Sequence, residues 1–172
     1  MAKTEDDLKG RHHTLWAPWR IAYILEEKEN GCLFCRKAAS RDDVADYIIA
    51  RSSHSFALLN VFPYNSGHLM VAPCRHTAEL ENLQPEETAD LAGLVQRAVR
   101  ALKISLEPEG FNVGINLGRA AGAGVIDHLH IHVVPRWQGD TNFMPVIANT
   151  GVVPEALAAT LATLRAAFAA GE

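Results

Sequence analysis

Cysteine is scarce in this chain, and no single charge dominates. Cys32, Cys35 and Cys74 are the only three cysteines in 172 residues. A small, odd number argues against the disulfide framework of a small secreted domain. Lysine and arginine number 16 against 20 acidic residues, a net charge of −4. With no basic run, that balance argues against a general nucleic-acid binder. No apolar stretch is long enough to span a bilayer. The opening residues, MAKTEDDLKGRHH, lack the apolar core of a secretory signal. Internal repeats and low-complexity blocks are also missing. The expectation is a cytoplasmic protein with neither a membrane nor a nucleic acid as partner.

The rest of the composition is that of an ordinary folded domain, with 48% hydrophobic and 21% charged residues. The length suits one domain with a sizeable core. Residues 1–13 are polar, charged and aperiodic, so we expect a disordered tail followed by a single domain over 14–172. A helix is predicted from about Pro85 to about Leu106. Glu86 and Glu87 favour its N-terminal dipole, and Leu91, Leu94, Val95, Ala98, Val99, Leu102 and Leu106 form one stripe. A C-terminal helix is predicted with Pro154 in its first turn, Gly171 at its stop, and Leu157, Leu161, Leu164 and Phe168 on one face. Short strands are expected at Asp46–Ala50, Ser55–Asn60, His68–Ala72, Phe111–Asn116 and His128–Val134. Strands this close, without crossover helices, imply hairpins, an antiparallel sheet and an α+β fold, with the 85–106 helix covering one face.

The chain has eight histidines, and three of them fall within HLHIHVVP, residues 128–135. On a strand, His128, His130 and His132 share one face, while Leu129, Ile131 and Val133 face the core. Val134 and Pro135 should end the strand, since proline cannot donate to a ladder. Three readings are open: a polar strand face rich in histidine by chance, a metal site built from all three, or a catalytic cluster. Imidazole titrates near pH ~6.5, so it can act as nucleophile or acid at neutral pH. For the metal reading, Asp127 is the only nearby carboxylate, and it points to the other face.

HLHIHVV fits the alternating signature of the histidine triad (HIT) family of nucleotide hydrolases and transferases. The likeness extends to LWAPWRIAYI (15–24), GCLFC (31–35), FALLNVFPYNSGHLMVAP (56–73), FNVGINLG (111–118) and HLHIHVVPRWQGDTNFMPV (128–146). Together these segments resemble a bacterial branch similar to diadenosine tetraphosphate hydrolases and phosphorylases. The resemblance implies a HIT-like fold, with an antiparallel sheet of about five strands, a long helix and a C-terminal helix. It also implies a homodimer, an adenine nucleotide or dinucleoside polyphosphate as substrate, and water or phosphate as acceptor.

By the same resemblance, His130 is the nucleophile, its Nε2 attacking the α-phosphorus and its Nδ1–H held by the His128 carbonyl. His132 contacts phosphate oxygen, and His68 is a fourth histidine beside the triad. No metal is required for that chemistry. Asn60 matches a ribose-binding residue, and Phe34 and Val61 match apolar residues flanking the base. Their plainer readings are a strand-end turn residue and core.

The stretch NLGRAAGAG (116–124) supplies Gly118, Gly122 and Gly124, which permit φ > 0 and close backbone approach to phosphate. Alone it reads more readily as a plain turn joining two strands. The resemblance lays this loop along the phosphates, with Asn116 as an amide ligand. Many family members carry Ser or Thr shortly before the first histidine, whereas this chain reads GAGVIDH, with no hydroxyl. Cys32-Leu-Phe-Cys35 alone is a redox pair, a zinc half-site or coincidence. Without a second CxxC, a Cys₂His₂ site would need two histidines. Zinc-containing HIT relatives and the related galactose-1-phosphate uridylyltransferases resemble this layout. The likeness implies structural zinc on Cys32, Cys35, His76 and His128. Cys74 has no partner in that scheme and is expected to be packed. The two tryptophans of LWAPWR are expected to pack on the domain, and the resemblance implies that the segment after the triad, in which Trp137 lies, shapes a second nucleotide's pocket.

Overall fold

The computed structural model describes residues 31–140 and 156–171. The expected tail 1–13, the LWAPWR segment and residues 142–146 lie outside the described residues. Five strands form one antiparallel sheet: β1 (Ile48–Arg51), β2 (Ser55–Leu59), β3 (Leu69–Pro73), β4 (Gly110–Ile115) and β5 (Ile131–Arg136), in the order β1-β2-β3-β5-β4. Among the described residues three α-helices accompany it: α1 (Leu33–Ala39), α2 (Pro85–Leu106) and α3 (Leu157–Ala170). This is the expected α+β architecture.

The sheet is covered on both sides. Alternate residues of β2 and β3, Ala57, Leu59, Leu69 and Val71, join Leu91, Leu94 and Leu102 of α2 and Leu161, Leu164 and Phe168 of α3 in the larger core. Their neighbours Phe56, Leu58, Met70 and Ala72 pack with Phe34 of α1 on the opposite face. Burial from both sides explains why FALL and LMVA read as continuous apolar runs. Leu129 and Val133 belong to the α2/α3 face. The register sets His132 beside Met70, so the histidines face the α1 side.

Helix α2 occupies the predicted span. Pro85 stands in its first turn, and Gln84 and Glu87 form a reciprocal capping box. Helix α3 starts at Leu157 after an extended N-cap at Ala156, and Gly171 is its C-cap; Pro154, expected in its first turn, lies outside the described residues.

Two expectations for the histidine strand are corrected. It begins at Ile131, not His128, because both neighbours stop pairing there: Val71 and Ile115 each face Ile131. Leu129 N–H donates instead to the Thr77 carbonyl at 2.6 Å. Nor does Pro135 end the strand; it pairs with Phe111 inside it. The Pro135 carbonyl accepts from Asn65 Nδ2 at 3.2 Å. A strand residue's N–H and C=O point to one edge, so the missing donor faces the side where β3 has already ended.

Gly67, at φ +75°, lets the loop before His68 run close to α2; a Cβ there would lie 2.5 Å from Leu106 Cδ1.

Candidate active site and metal centre

At one end of the histidine run is a cluster of soft donors. Cys32 is the N-cap residue of α1 and Cys35 lies in its first turn, so the CxxC spacing brings both thiols to one helix end. Cys32 Sγ is 3.2 Å from His128 Nδ1, Cys35 Sγ is 3.2 Å from His76 Nδ1, and Cys35 Sγ is 3.6 Å from His128 Nδ1. All four ligand atoms lie within 4.8 Å of one another. Tetrahedral zinc with ordinary Zn–S and Zn–N lengths separates its S and N ligands by about 3.5 Å. The Pro73 carbonyl can only accept, so His128 Nε2 donates to it at 2.9 Å and Nδ1 presents its lone pair to the thiols. The donor set and the fixed tautomer therefore fit a closed zinc site. Burial, then the neighbouring Cys32 thiol, push Cys35 up to about 11. Cys74 is exposed, which corrects its expected packing.

The other end is built from imidazoles. His130 Nδ1–H donates to the His128 carbonyl at 2.8 Å, leaving Nε2 as the free nitrogen. The ring is buried at 4% exposure and lies 4.9 Å from the Phe34 ring centroid. Burial lowers its pKa, against that backbone hydrogen bond. His68 is fully buried. Its Nδ1 accepts from Tyr64 N–H at 3.1 Å, so its proton sits on Nε2, which is 3.0 Å from His132 Nδ1. His68 therefore donates to His132, and neutral His132 must carry its own proton on Nε2. Burial, then His132 and His130, lower His68 to about 3. The Tyr64 ring stacks on His68 at 4.8 Å and 21°.

His130 and His132 line a cavity of about 230 Å³. Phe34, Asn60, Val61, Asn116, Gly122 and Gly124 line it too, so the structure gathers these expected residues in one place. Gly118 is not in the wall, and His68 stands behind it. Gly118 and Gly122 take positive φ, but Gly124 does not. The Asn60 side-chain carbonyl accepts from Phe62 N–H at 3.0 Å, an Asx-type turn, while the residue still faces the cavity.

Sequence reasoning missed Leu33, Lys37 and Tyr64, which also line this space. For Tyr64 the available signal was its place four residues before His68 in NVFPYNSGH. Trp137 is half-buried, and its backbone N–H donates to Asp140 Oδ2.

The HIT domain family matches residues 41–139. An AP-4-A phosphorylase of Mycobacterium tuberculosis is 40% identical over 151 residues, covering 83% of this chain and 77% of that protein. An adenosine 5'-monophosphoramidase of Schizosaccharomyces pombe is 33% identical over 105 residues, covering 61% and 74%. Among solved structures, a Zn-bound histidine triad family protein from Mycobacterium smegmatis superposes with a TM-score of 0.66 at 32% identity, covering 81% of this chain and 94% of that one. With His130 and His132 converging on one cavity and the family match spanning more than half of its length, the chain belongs to the histidine triad (HIT) family.

Proposed function

We propose that this protein transfers a nucleotidyl group from a dinucleoside polyphosphate of the diadenosine tetraphosphate type to water or phosphate. One observation carries the reading: the His128 carbonyl holds His130 Nδ1–H at 2.8 Å, leaving an unprotonated Nε2 in the cavity. The 40% identical AP-4-A phosphorylase supports it. In the first step the Nε2 lone pair forms an N–P bond to the α-phosphorus. The bond from that phosphorus to the bridging oxygen breaks, and its electron pair leaves with the nucleoside polyphosphate. His132 Nε2–H, oriented through Tyr64 and His68, donates toward the departing oxygen. In the second step water or phosphate attacks the phosphorus of the nucleotidyl-His130; the N–P bond breaks with its electron pair returning to Nε2, and when water is the acceptor its proton passes to solvent. Asn116 and the Gly118–Gly124 loop supply amide donors to phosphate oxygens. Phe34 and Val61 flank the base, and Asn60 meets the ribose.

Cys32, Cys35, His76 and His128 would hold zinc in this reading. The metal's part is structural, fastening α1 to the histidine run. A homodimer belongs to the same reading, and β4 is a sheet edge with Asn112, Val113 and Gly114 exposed.

Incubation of diadenosine tetraphosphate with and without inorganic phosphate, followed by nucleotide separation, tests the proposal. ATP plus AMP identifies water as acceptor; ATP plus ADP identifies phosphate. No turnover in either case contradicts the reading. Hydrolysis of adenosine 5'-phosphoramidate is the second reading, favoured by the monophosphoramidase relative. It is separated by substrate: the phosphoramidate would then be cleaved and the polyphosphate left intact.

A further inference from the structure

The polyphosphate reading raises a charge problem. Beyond its scissile phosphorus such a substrate carries several negative charges, and the chain itself is net −4. The cavity wall offers little to meet them. Its one lysine, Lys37, is tied to Asp46, with Nζ 3.1 Å from Oδ1 and 2.9 Å from the backbone oxygen. His68, behind the wall, stays neutral at physiological pH. At about 230 Å³ the cavity is smaller than the roughly 300–1,000 Å³ of ordinary ligand pockets, so the departing half of a dinucleotide extends past its rim.

On that rim stands the loop from Asn116 to Asp127. Asn116, Gly122 and Gly124 face the cavity. Between them, Gly118 and Gly122, both at positive φ, bracket a single turn that begins with Arg119. Arg119 is exposed; its carbonyl accepts from Gly122 N–H at 3.0 Å, and among the described residues its guanidinium makes no ion pair or hydrogen bond. Arg51, Arg75, Arg136 and Arg165 are each engaged elsewhere. The loop's one acid, Asp127, acts on Cys35 and His128 at the metal end. Between Gly118 and His128 the loop carries no side-chain hydroxyl.

Resting on the function proposed above, we infer that Arg119 binds the phosphates beyond the scissile one and makes the site selective for leaving groups that carry them. Its planar fork suits two phosphate oxygens at once. Its guanidinium neutralises the oxyanion as the bridging bond breaks, and that oxyanion departs with the leaving nucleotide.

The test compares two substrates: diadenosine tetraphosphate, and the 4-nitrophenyl ester of AMP, whose leaving group has no phosphate. Arg119→Ala should lower kcat/KM on the first by ~10- to 100-fold, the range of one or two charge-assisted hydrogen bonds, and change the second by no more than about two-fold. Arg119→Lys should fall between, and Arg100→Ala, on the exposed side of α2, should match wild type. Inorganic tripolyphosphate should inhibit wild type and lose that effect in Arg119→Ala. Unchanged turnover of the tetraphosphate overturns the inference. An equal loss on both substrates overturns it as well, since that would mark Arg119 as a support of the loop. Wild type that cleaves neither substrate defeats the underlying function instead.

Discussion

His128 and His132 sit on the same short run and face the same side of the sheet, yet their neighbours set them to different chemistry. His128 meets two thiols and His76, with its far nitrogen tied to the Pro73 carbonyl. His132 meets His68, which takes its orientation from the Tyr64 amide. One end presents a lone pair to a cluster that fits zinc; the other presents a proton to a cavity. His130 lies between them and is held by the main chain of the first. The difference teaches that imidazole is assigned its role by whatever fixes its second nitrogen.

Three perturbations should pull the two ends apart. The largest concerns the middle ring. His130→Ala should reduce turnover by at least ~10³-fold while the circular dichroism spectrum and metal content remain those of wild type. Simultaneous loss of metal would show that the two ends are not separable.

Next is the metal end. Purified protein should contain about one zinc per chain. Chelation, or Cys35→Ser, should lower Tm by roughly 10 °C or more, and activity should fall with the folded fraction. A zinc-free preparation that is equally stable and active would remove the structural-zinc assignment.

The smallest effect belongs to His68. Its pKa is about 3 in the folded protein against ~6.5 in an unfolded chain. The unfolded state therefore binds this proton first as pH falls. His68 thus favours folding fully above pH ~6.5 and loses that contribution as pH falls toward 3. His68→Asn should flatten that part of the Tm–pH profile, and should slow turnover by roughly 10- to 100-fold through misorientation of His132. An unaltered acid limb would contradict the assignment.

What the sequence disclosed follows from how far each signal runs. Helix α2 carries its stripe over 22 residues with caps at its start, so periodicity and chemistry agree. The buried runs of β2 and β3 are short but bounded by turn residues. Helix α1 is only seven residues long, too few for a period to register, although its CxxC was visible for another reason. The start of β5 was misplaced because alternation alone suggests that pairing begins at His128. In the fold, Leu129 is claimed by Thr77 and His128 by the thiols, and neither relation is written locally. Pro135 inside the strand depends on β3 ending first, which is a fact of register. The four residues of the metal cluster were legible from the resemblance, since spacing alone left the histidines unnamed. Tyr64 was not: its amide reaches His68 only after the 60–68 loop has closed.

The central claim is that His130 Nε2 forms a bond to phosphorus. Rapid quenching during turnover of diadenosine tetraphosphate, with digestion and mass spectrometry under neutral to alkaline conditions, tests it most directly. The account predicts an adenylate adduct on residue 130 that appears and decays within the catalytic cycle. An adduct on another residue, or single-turnover kinetics with product formed and no adduct at any time, would contradict it.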